Sequence, residues 1–298
     1  MKRLIALLLV FACTMLLSGC SDNSGTTHES GDKGNSSIQQ EHQETATPIP
    51  APSDAKDFEY EILSDNTATI IRYVGQGGAV VIPSELDGHR VVGIKYDVFA
   101  RKDYITSVVI PEGVTSIGSK AFFYCLNMTE VVIPDSVREI GEYAFARCKS
   151  LISISFPDHV EEMGESICAN CTSLVRASLP KNRTSISRSL FYECESLSEI
   201  IIPDVVTVIG DEAFWGCKSL SEIKLPDHLK SINGNAFYRC KALANITIPE
   251  SVTYIGEGAF AGCNNLVATV FRGSYAVKYF DEQNYLYGEG SYNYKYAD

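Results

Sequence analysis

Apolar positions recur along most of the chain at an interval of 23 residues, far longer than the period of a helix or a strand. Each proline of this repeating part follows an apolar residue, and the series consists of Pro83, Pro111, Pro134, Pro157, Pro180, Pro203, Pro226 and Pro249. Pro83 precedes Pro111 by 28 residues, which indicates a first repeat with a five-residue insertion. A fixed period of roughly 20 to 50 residues is typical of solenoids, propellers and other repeat arrays.

Two apolar patterns alternate within each unit. In the unit that begins at Pro134, the apolar residues of segment 151–156 are spaced as L-x-x-L-x-L, which predicts a short strand with alternate side chains buried. The proline that follows ends this strand because it has no N–H group to donate. Apolar residues at positions 137 and 140 predict a second short strand or turn, and segment 141–148 predicts one or two helical turns on the outer side.

The repeated unit resembles the BspA-like, or Treponema-type, 23-residue leucine-rich repeat. The motif I-P-x-x-V-x-x-I-G-x-x-A-F-x-x-C-x-x-L-x-x-I extends from about Ile82 to Phe271, with the same residue types in seven consecutive units. The resemblance implies an α/β repeat fold, a leucine-rich-repeat solenoid with a parallel β-sheet on the concave side, and short second strands or turns and short helical turns outside. In one unit Arg183 and Ser187 replace the Val and Gly of the motif and Leu190 replaces the Ala, so we expect a local bulge there. We expect no break, because Ile186, Phe191 and Cys194 keep the register of the motif.

A single unit of this kind cannot fold alone. It buries about seven apolar side chains, worth roughly 1.5–3 kcal/mol for each large one, whereas fixing its backbone costs about 1–2 kcal/mol per residue. Stacked units bury both faces of each unit and pair their strands, so the stack is stable but its two ends need caps.

The two caps and the repeat array together cover residues 57–298. We expect an N-terminal β cap with the first, longer repeat over residues 57–110, and 23-residue repeats over residues 111–271. Alternating apolar and polar residues predict hairpin strands in the N-terminal cap, with turns at 64–66 and 75–78. Residues 272–298 are expected to form a C-terminal cap and a loose, Tyr-rich tail.

Seven of the ten cysteines follow the 23-residue interval, namely Cys125, Cys148, Cys171, Cys194, Cys217, Cys240 and Cys263. Stacked units place equivalent side chains about 4.7–4.9 Å apart, and free cysteine packs as a small apolar residue, so we expect a buried, reduced column. Disulfides and a metal site are the alternatives. Cys168 and Cys171 form a C-x-x-C, but Cys168 occupies the Phe slot of its unit and no second pair completes a zinc site.

The first residues have the pattern of an export signal. Lys2 and Arg3 precede an apolar run too short to span a bilayer, which predicts a signal peptide over residues 1–19. The run ends in Leu-Ser-Gly-Cys, which resembles the bacterial lipobox and implies that Cys20 carries a diacylglyceryl group, so that membrane lipid is a covalent partner. An ordinary signal peptide cleaved elsewhere is the alternative. The polar segment that follows predicts a lipidated, disordered tether over residues 20–56, in an extracytoplasmic protein anchored to the bacterial cell membrane.

Charge and motifs argue against nucleic-acid binding and catalysis. The net charge is −12, whereas phosphate neutralisation requires clustered Lys and Arg. The five histidines are not paired by motif with a carboxylate and a nucleophile, and the chain contains neither G-x-x-x-x-G-K-S/T nor G-x-G-x-x-G. We therefore expect no enzyme activity, no cofactor and no metal. A cryptic catalytic site in the Tyr-rich C-terminal region is an alternative.

Function is then expected at the strand positions that face away from the core, because these positions vary between units. They form two rows, which begin at Ser107 and Val109 and which we call the sheet face. The candidate ligand-binding residues of the sheet face are Glu130, Ser153, Ser155, Arg176, Ser178, Glu199, Ile201, Glu222, Lys224, Asn245 and Thr247. The family resemblance implies an adhesin-like protein that binds an extracellular protein of a host or neighbouring cell. A glycan-binding lipoprotein for nutrient capture is the alternative, and it would require aromatic platforms that the two rows lack.

Overall fold

The computed structural model describes residues 51–287 and 292–297. The predicted signal peptide, Cys20 and the tether up to residue 50 lie outside the described residues. The end of the predicted tether contacts the array, because the Ser53 backbone N–H donates to the Val81 carbonyl at 2.8 Å. The folded part therefore begins before residue 57, where the sequence pattern places its start.

From residue 105 onward the chain forms stacked coils, most of which contain a strand of the sheet face and a shorter second strand. Equivalent strands pair in parallel, so that Ser153 lies opposite Arg176 and Ile186 opposite Ile209. The sheet-face strands are β6 (Ile105–Val109), β8 (Glu130–Val132), β10 (Ser153–Ser155), β12 (Arg176–Ser178), β14 (Glu199–Ile201), β17 (Asn245–Thr247) and β19 (Val267–Val270). The second strands are β7 (Ser116–Ile117), β9 (Glu139–Ile140), β11 (Glu162–Met163), β13 (Ser185–Ile186), β15 (Val208–Ile209), β16 (Ser231–Ile232) and β18 (Tyr254–Ile255).

The N-terminal cap contains a 3-10 turn (Ala55–Asp57) and the strands β1 (Phe58–Ile62), β2 (Ala68–Tyr73), β3 (Gly78–Val81), β4 (Glu85–Leu86) and β5 (His89–Ile94). The expected hairpin is formed by β1 and β2, and β2 then pairs in parallel with β5. The prediction of a second hairpin turn at 75–78 is wrong, because β3 pairs in parallel with β6, a strand of the sheet face. The five-residue insertion of the first repeat accommodates a small hairpin of β4 and β5.

The C-terminal cap consists of a helix, α1 (Tyr275–Tyr287), and a final strand, β20 (Asn293–Tyr296). The helix buries Ala276 and Phe280, and the Phe280 ring lies 5.8 Å from the ring of Phe260 in the last coil. The strand pairs in parallel with β19. The expectation of a loose tail is therefore wrong for the described part of this segment. The helix covers the end of the core, and the strand extends the sheet.

The segment between the second strand and the next sheet-face strand, which we call the outer turn, is not helical. In the coil of residues 118–125, Lys120 and Tyr124 have φ angles of 59° and 66°, which interrupt a right-handed helix. Alternate N–H groups instead donate to the next coil, as from Phe122 to the Ala144 carbonyl at 2.8 Å. A helix would use these groups internally, so the expected helical turns are replaced by turns that pair with the neighbouring coil.

Phenylalanines form a column through the core on the inner side of the outer turns. Their rings stack with centroids 4.8–5.7 Å apart in two runs, Phe99–Phe122–Phe145 and Phe191–Phe214–Phe237–Phe260. The column is interrupted at Cys168, which occupies the Phe slot. In the same coil Ile167 replaces the usual Ala, in the next coil Leu190 does so, and all three side chains are buried. Ile167 and Leu190 are larger than the Ala residues that they replace, so we expect them to fill part of the space that the missing ring leaves.

The periodic cysteines form the predicted buried column. Each thiol donates to the carbonyl oxygen of the residue 26 positions earlier at 3.0–3.3 Å, as from Cys217 to Phe191. The eight cysteines of the described residues are free thiols. Burial raises the pKa of Cys148 and of Cys217 because the thiolate would lose its hydration. Cysteine therefore combines a small apolar volume with a weak donor in this slot.

The coil with the altered motif interrupts one strand ladder. Elsewhere the residue in the Gly slot donates its N–H to the preceding coil, as from Gly164 to the Ile140 carbonyl at 2.9 Å. Ser187 instead donates its hydroxyl to the Met163 carbonyl at 3.2 Å. Within the described strands, β11 and β13 belong to different sheets, so the expectation of no break is wrong for this ladder.

Stacking nevertheless continues across the interruption. Arg183, in the Val slot of the altered coil, donates from Nη1 to the Glu161 carbonyl at 2.9 Å. The Cys168 N–H donates to the Leu190 carbonyl at 3.0 Å in the outer turn. The core is therefore continuous although the ladder is not.

Candidate functional site

The sheet face is formed by alternate side chains of consecutive strands. In β10, Ile154 is buried between the exposed Ser153 and Ser155, and the same alternation occurs in β12 and β17. Of the eleven candidate residues, all except the half-buried Glu130 are exposed. The structure therefore brings the predicted residues onto one face, where the exposed side chains of each coil lie beside those of the next coil.

Polar contacts connect neighbouring coils on this face. Arg176 Nε lies 2.8 Å from Glu199 Oε2, with both side chains more than half exposed. The hydroxyls of Ser155 and Ser178 lie 2.8 Å apart. An exposed ion pair contributes only about 0–1 kcal/mol to stability, so both charged groups are available to a ligand at little cost.

Ile201 is the most exposed large apolar side chain of the described residues, at 81%. It lies opposite Ser178 in the parallel register, two positions along the strand from Glu199. The face therefore presents an apolar side chain beside an ion pair.

The rows are longer and less regular than the sequence pattern indicates. β19 and β20 add Val267, Thr269, Asn293 and Lys295, in register with Asn245 and Thr247. The alternation of Tyr with Asn and Lys in segment 292–296 is the signal that could have predicted the last strand. Glu222 and Lys224 are exposed, but segment 222–224 does not form a strand, so the ladder ends at β14 and resumes at β17.

The histidines and the C-terminal tyrosines, the other candidate catalytic residues, are not brought together in one site. His159 and His228 are exposed in equivalent slots of coils three repeats apart, and His89 Nδ1 contacts the Asn66 carbonyl oxygen at 3.0 Å. In the C-terminal region Tyr279 is buried in the cap, and the Tyr294 hydroxyl donates to Asp281 at 2.7 Å. Within residues 51–287 and 292–297, no group of three or more His, Cys, Asp or Glu side chains is arranged to hold a metal ion. Among the helices of these same segments, none has the length and apolarity needed to cross a membrane.

A family model described as "BspA type Leucine rich repeat region (6 copies)" matches residues 92–221 and 184–286, more than half of the chain. The chain belongs to the BspA-type leucine-rich-repeat family. The resemblance inferred from the 23-residue motif is thereby confirmed, and so is the leucine-rich-repeat solenoid.

Two bacterial leucine-rich repeat proteins are among the solved structures that are similar to this BspA-type chain. One is a leucine rich repeat protein from T. pallidum, with 30% identity, a TM-score of 0.56, and coverage of 83% of this chain and 98% of that chain. The other is a leucine-rich repeat protein from Eubacterium ventriosum, with 24% identity, a TM-score of 0.51, and coverage of 64% of this chain and 60% of that chain. No curated protein matches the chain.

Proposed function

We propose that this chain is a membrane-anchored, adhesin-like surface protein that binds an extracellular protein of a host or neighbouring cell through its sheet face. The observation that supports the proposal is the exposed Ile201 beside the Arg176–Glu199 pair. Interface cores typically combine an apolar anchor with surrounding polar groups. Burial of one Ile side chain stabilises a complex by roughly 1.5–3 kcal/mol.

The test compares Ile201 with Tyr254, a 50% exposed residue on the second-strand side of the array. A photo-crosslinking amino acid is placed at either position in the full chain, and the chain is exposed to intact host or neighbouring cells. We expect one defined protein adduct from position 201 and none from position 254.

The affinity of variants with an introduced charge is then measured for the protein that the adduct identifies. Ile201→Asp should weaken binding by about tenfold or more, whereas Tyr254→Asp should leave the dissociation constant unchanged. Adducts that form from position 254 alone, or equal losses for the two variants, would remove the sheet face as the binding surface.

Anchoring through Cys20 is the second part of the proposal. It is supported by the Leu-Ser-Gly-Cys sequence at the end of the apolar run and by the polar segment that follows. Metabolic labelling with a radioactive fatty acid should label the wild-type chain and not Cys20→Ser, and the variant should leave the membrane fraction. Fatty-acid incorporation that persists in Cys20→Ser would contradict the assignment.

The absence of enzyme activity and of a cofactor remains part of this proposal. The candidate residues of the sheet face include no histidine, cysteine or aromatic side chain. Without aromatic platforms this face is a poor surface for stacking sugars, so the glycan alternative is not assigned to it.

A further inference from the structure

The outer turns of three consecutive coils near the N-terminal cap carry a cluster of positive and aromatic side chains. The cluster, which we call the cationic patch, consists of Arg101, Lys120, Phe123, Tyr124, Tyr143 and Arg147. It borders two shallow depressions of about 330 and 350 Å³, and both depressions are lined by Phe123 and Arg147. The patch belongs to the outer turns, so binding here does not require the sheet face.

The cationic groups of the patch lie over aromatic rings in cation–π contacts. Arg101 Cζ lies 5.7 Å from the Phe123 ring centroid, and Arg147 Cζ lies 5.8 Å from that of Tyr124. Lys120 Nζ lies 5.9 Å from the Tyr143 ring centroid. Such contacts orient a guanidinium group and leave its N–H edge free to bind a carboxylate or sulfate in a bidentate manner.

The patch carries excess positive charge in a chain with a net charge of −12. Within the described part of the chain, neither Lys120 nor Arg147 forms an ion pair. Arg101 pairs with Asp97 at 3.6 Å, and Asp103 lines the first depression. The cations of the patch outnumber these neighbouring carboxylates, which favours an anionic ligand.

The backbone of these turns is already paired with the next coil. Lys120 and Tyr124 donate their N–H groups to the carbonyls of Glu142 and Ala146 at 2.8 and 2.9 Å, and Arg147 donates to Ala169 at 2.7 Å. An extended peptide would therefore find few main-chain groups with which to pair as an added strand. Recognition here depends on side chains alone.

We propose that the cationic patch binds an acidic saccharide, a sugar chain bearing carboxylate or sulfate groups. Arg101 and Arg147 occupy equivalent slots two coils apart, about 9–10 Å at the usual strand spacing, so a polymer with recurring charge can contact both. The aromatic side chains between them supply apolar surface for the C–H faces of sugar rings. The shallow, open depressions accommodate a linear chain that passes over the surface.

The test measures binding of the full chain to oligogalacturonate and dextran sulfate, with unmodified dextran as the neutral control. We expect salt-sensitive binding of one or both acidic saccharides and none of dextran. Lys120→Ala and Arg147→Ala should each weaken this binding about tenfold, and Arg147→Lys should restore part of it. The matched control is Arg239→Ala, because Arg239 occupies the same slot four coils later and lies 5.1 Å from the Tyr238 ring.

Several outcomes would overturn the proposal. These are failure of both acidic saccharides to bind, equal binding of dextran, or equal losses for Arg239→Ala and Arg147→Ala. Equal competition by polyglutamate of matched charge would show that the patch recognises charge and not sugar. Circular dichroism of each variant verifies that the coils remain folded.

Discussion

The replacement of Ala-Phe by Ile-Cys at positions 167 and 168 permits a quantitative test of how the coils pack. Both side chains are completely buried, and the phenylalanine column stops on either side of them. If Ile167 fills the space that a ring occupies in other coils, Cys168→Phe alone overpacks the core and costs about 1–3 kcal/mol. Ile167→Ala alone leaves a cavity and costs about 2–5 kcal/mol.

The double variant distinguishes compensation from independent damage. Independent effects would add to a loss of about 3–8 kcal/mol. Because the new ring would occupy the space vacated by Ile167, we expect the double variant to lie within about 1.5 kcal/mol of the wild type, a large coupling energy for residues in contact.

Urea denaturation measures these free energies, followed by circular dichroism and by the fluorescence of Trp215, the single tryptophan. Coincidence of the two transitions is required, because repeat arrays can unfold in parts. Cys168→Phe combined with Val252→Ala, four coils away, is the control and should be additive. Additive losses in Ile167→Ala/Cys168→Phe would refute the volume argument.

Burial raises the pKa values of the Cys148, Cys194 and Cys217 thiols above the ordinary 9.0, so their contribution to stability is complete below pH 9. Above pH 9 the unfolded chain loses protons that the folded chain retains. Urea titrations should therefore show that the free energy of unfolding falls by about 1.4 kcal/mol per pH unit for each thiol. The fall should be less steep in Cys217→Ala, which lacks one of these thiols. Phe214→Ala should cost about 3–5 kcal/mol in the same titrations, because its ring stacks on both neighbours, and a loss below about 1 kcal/mol would contradict the stacked column. Gly141→Ala should lower the melting temperature more than Gly234→Ala, since a Cβ at 141 would lie 2.3 Å from the Ser119 backbone nitrogen, whereas at 234 the nearest atom is a side-chain oxygen of Asp211 at 3.1 Å.

The interval of 23 residues was sufficient to predict the stacked coils, the two rows of the sheet face and the cysteine column. Each of these features depends only on equivalent positions lying beside one another in successive coils. Exposure of Arg176 and burial of Ala177 follow from strand alternation in the same way.

The hydrogen bonds of the outer turns and those made by single side chains could not be predicted. Lys120 and Tyr124 adopt positive φ angles that their residue types do not favour, because the turns pair with the next coil. The ladder interruption at Ser187 depends on a hydroxyl that replaces a backbone donor. The exposure of Ile201 was predicted by its row, but its prominence beside the Arg176–Glu199 pair required the side-chain geometry.

The central claim is that the coils share one continuous core, with the cysteine column inside it. Residue-resolved alkylation of the unreduced chain, read by mass spectrometry before and after unfolding, tests this claim directly. We expect the eight cysteines from Cys125 to Cys263 to be unmodified in the folded chain and all alkylated once it unfolds. A thiol in the middle of the array that reacts in the folded chain, or a pair that stays unmodified after unfolding because it forms a disulfide, would contradict the account.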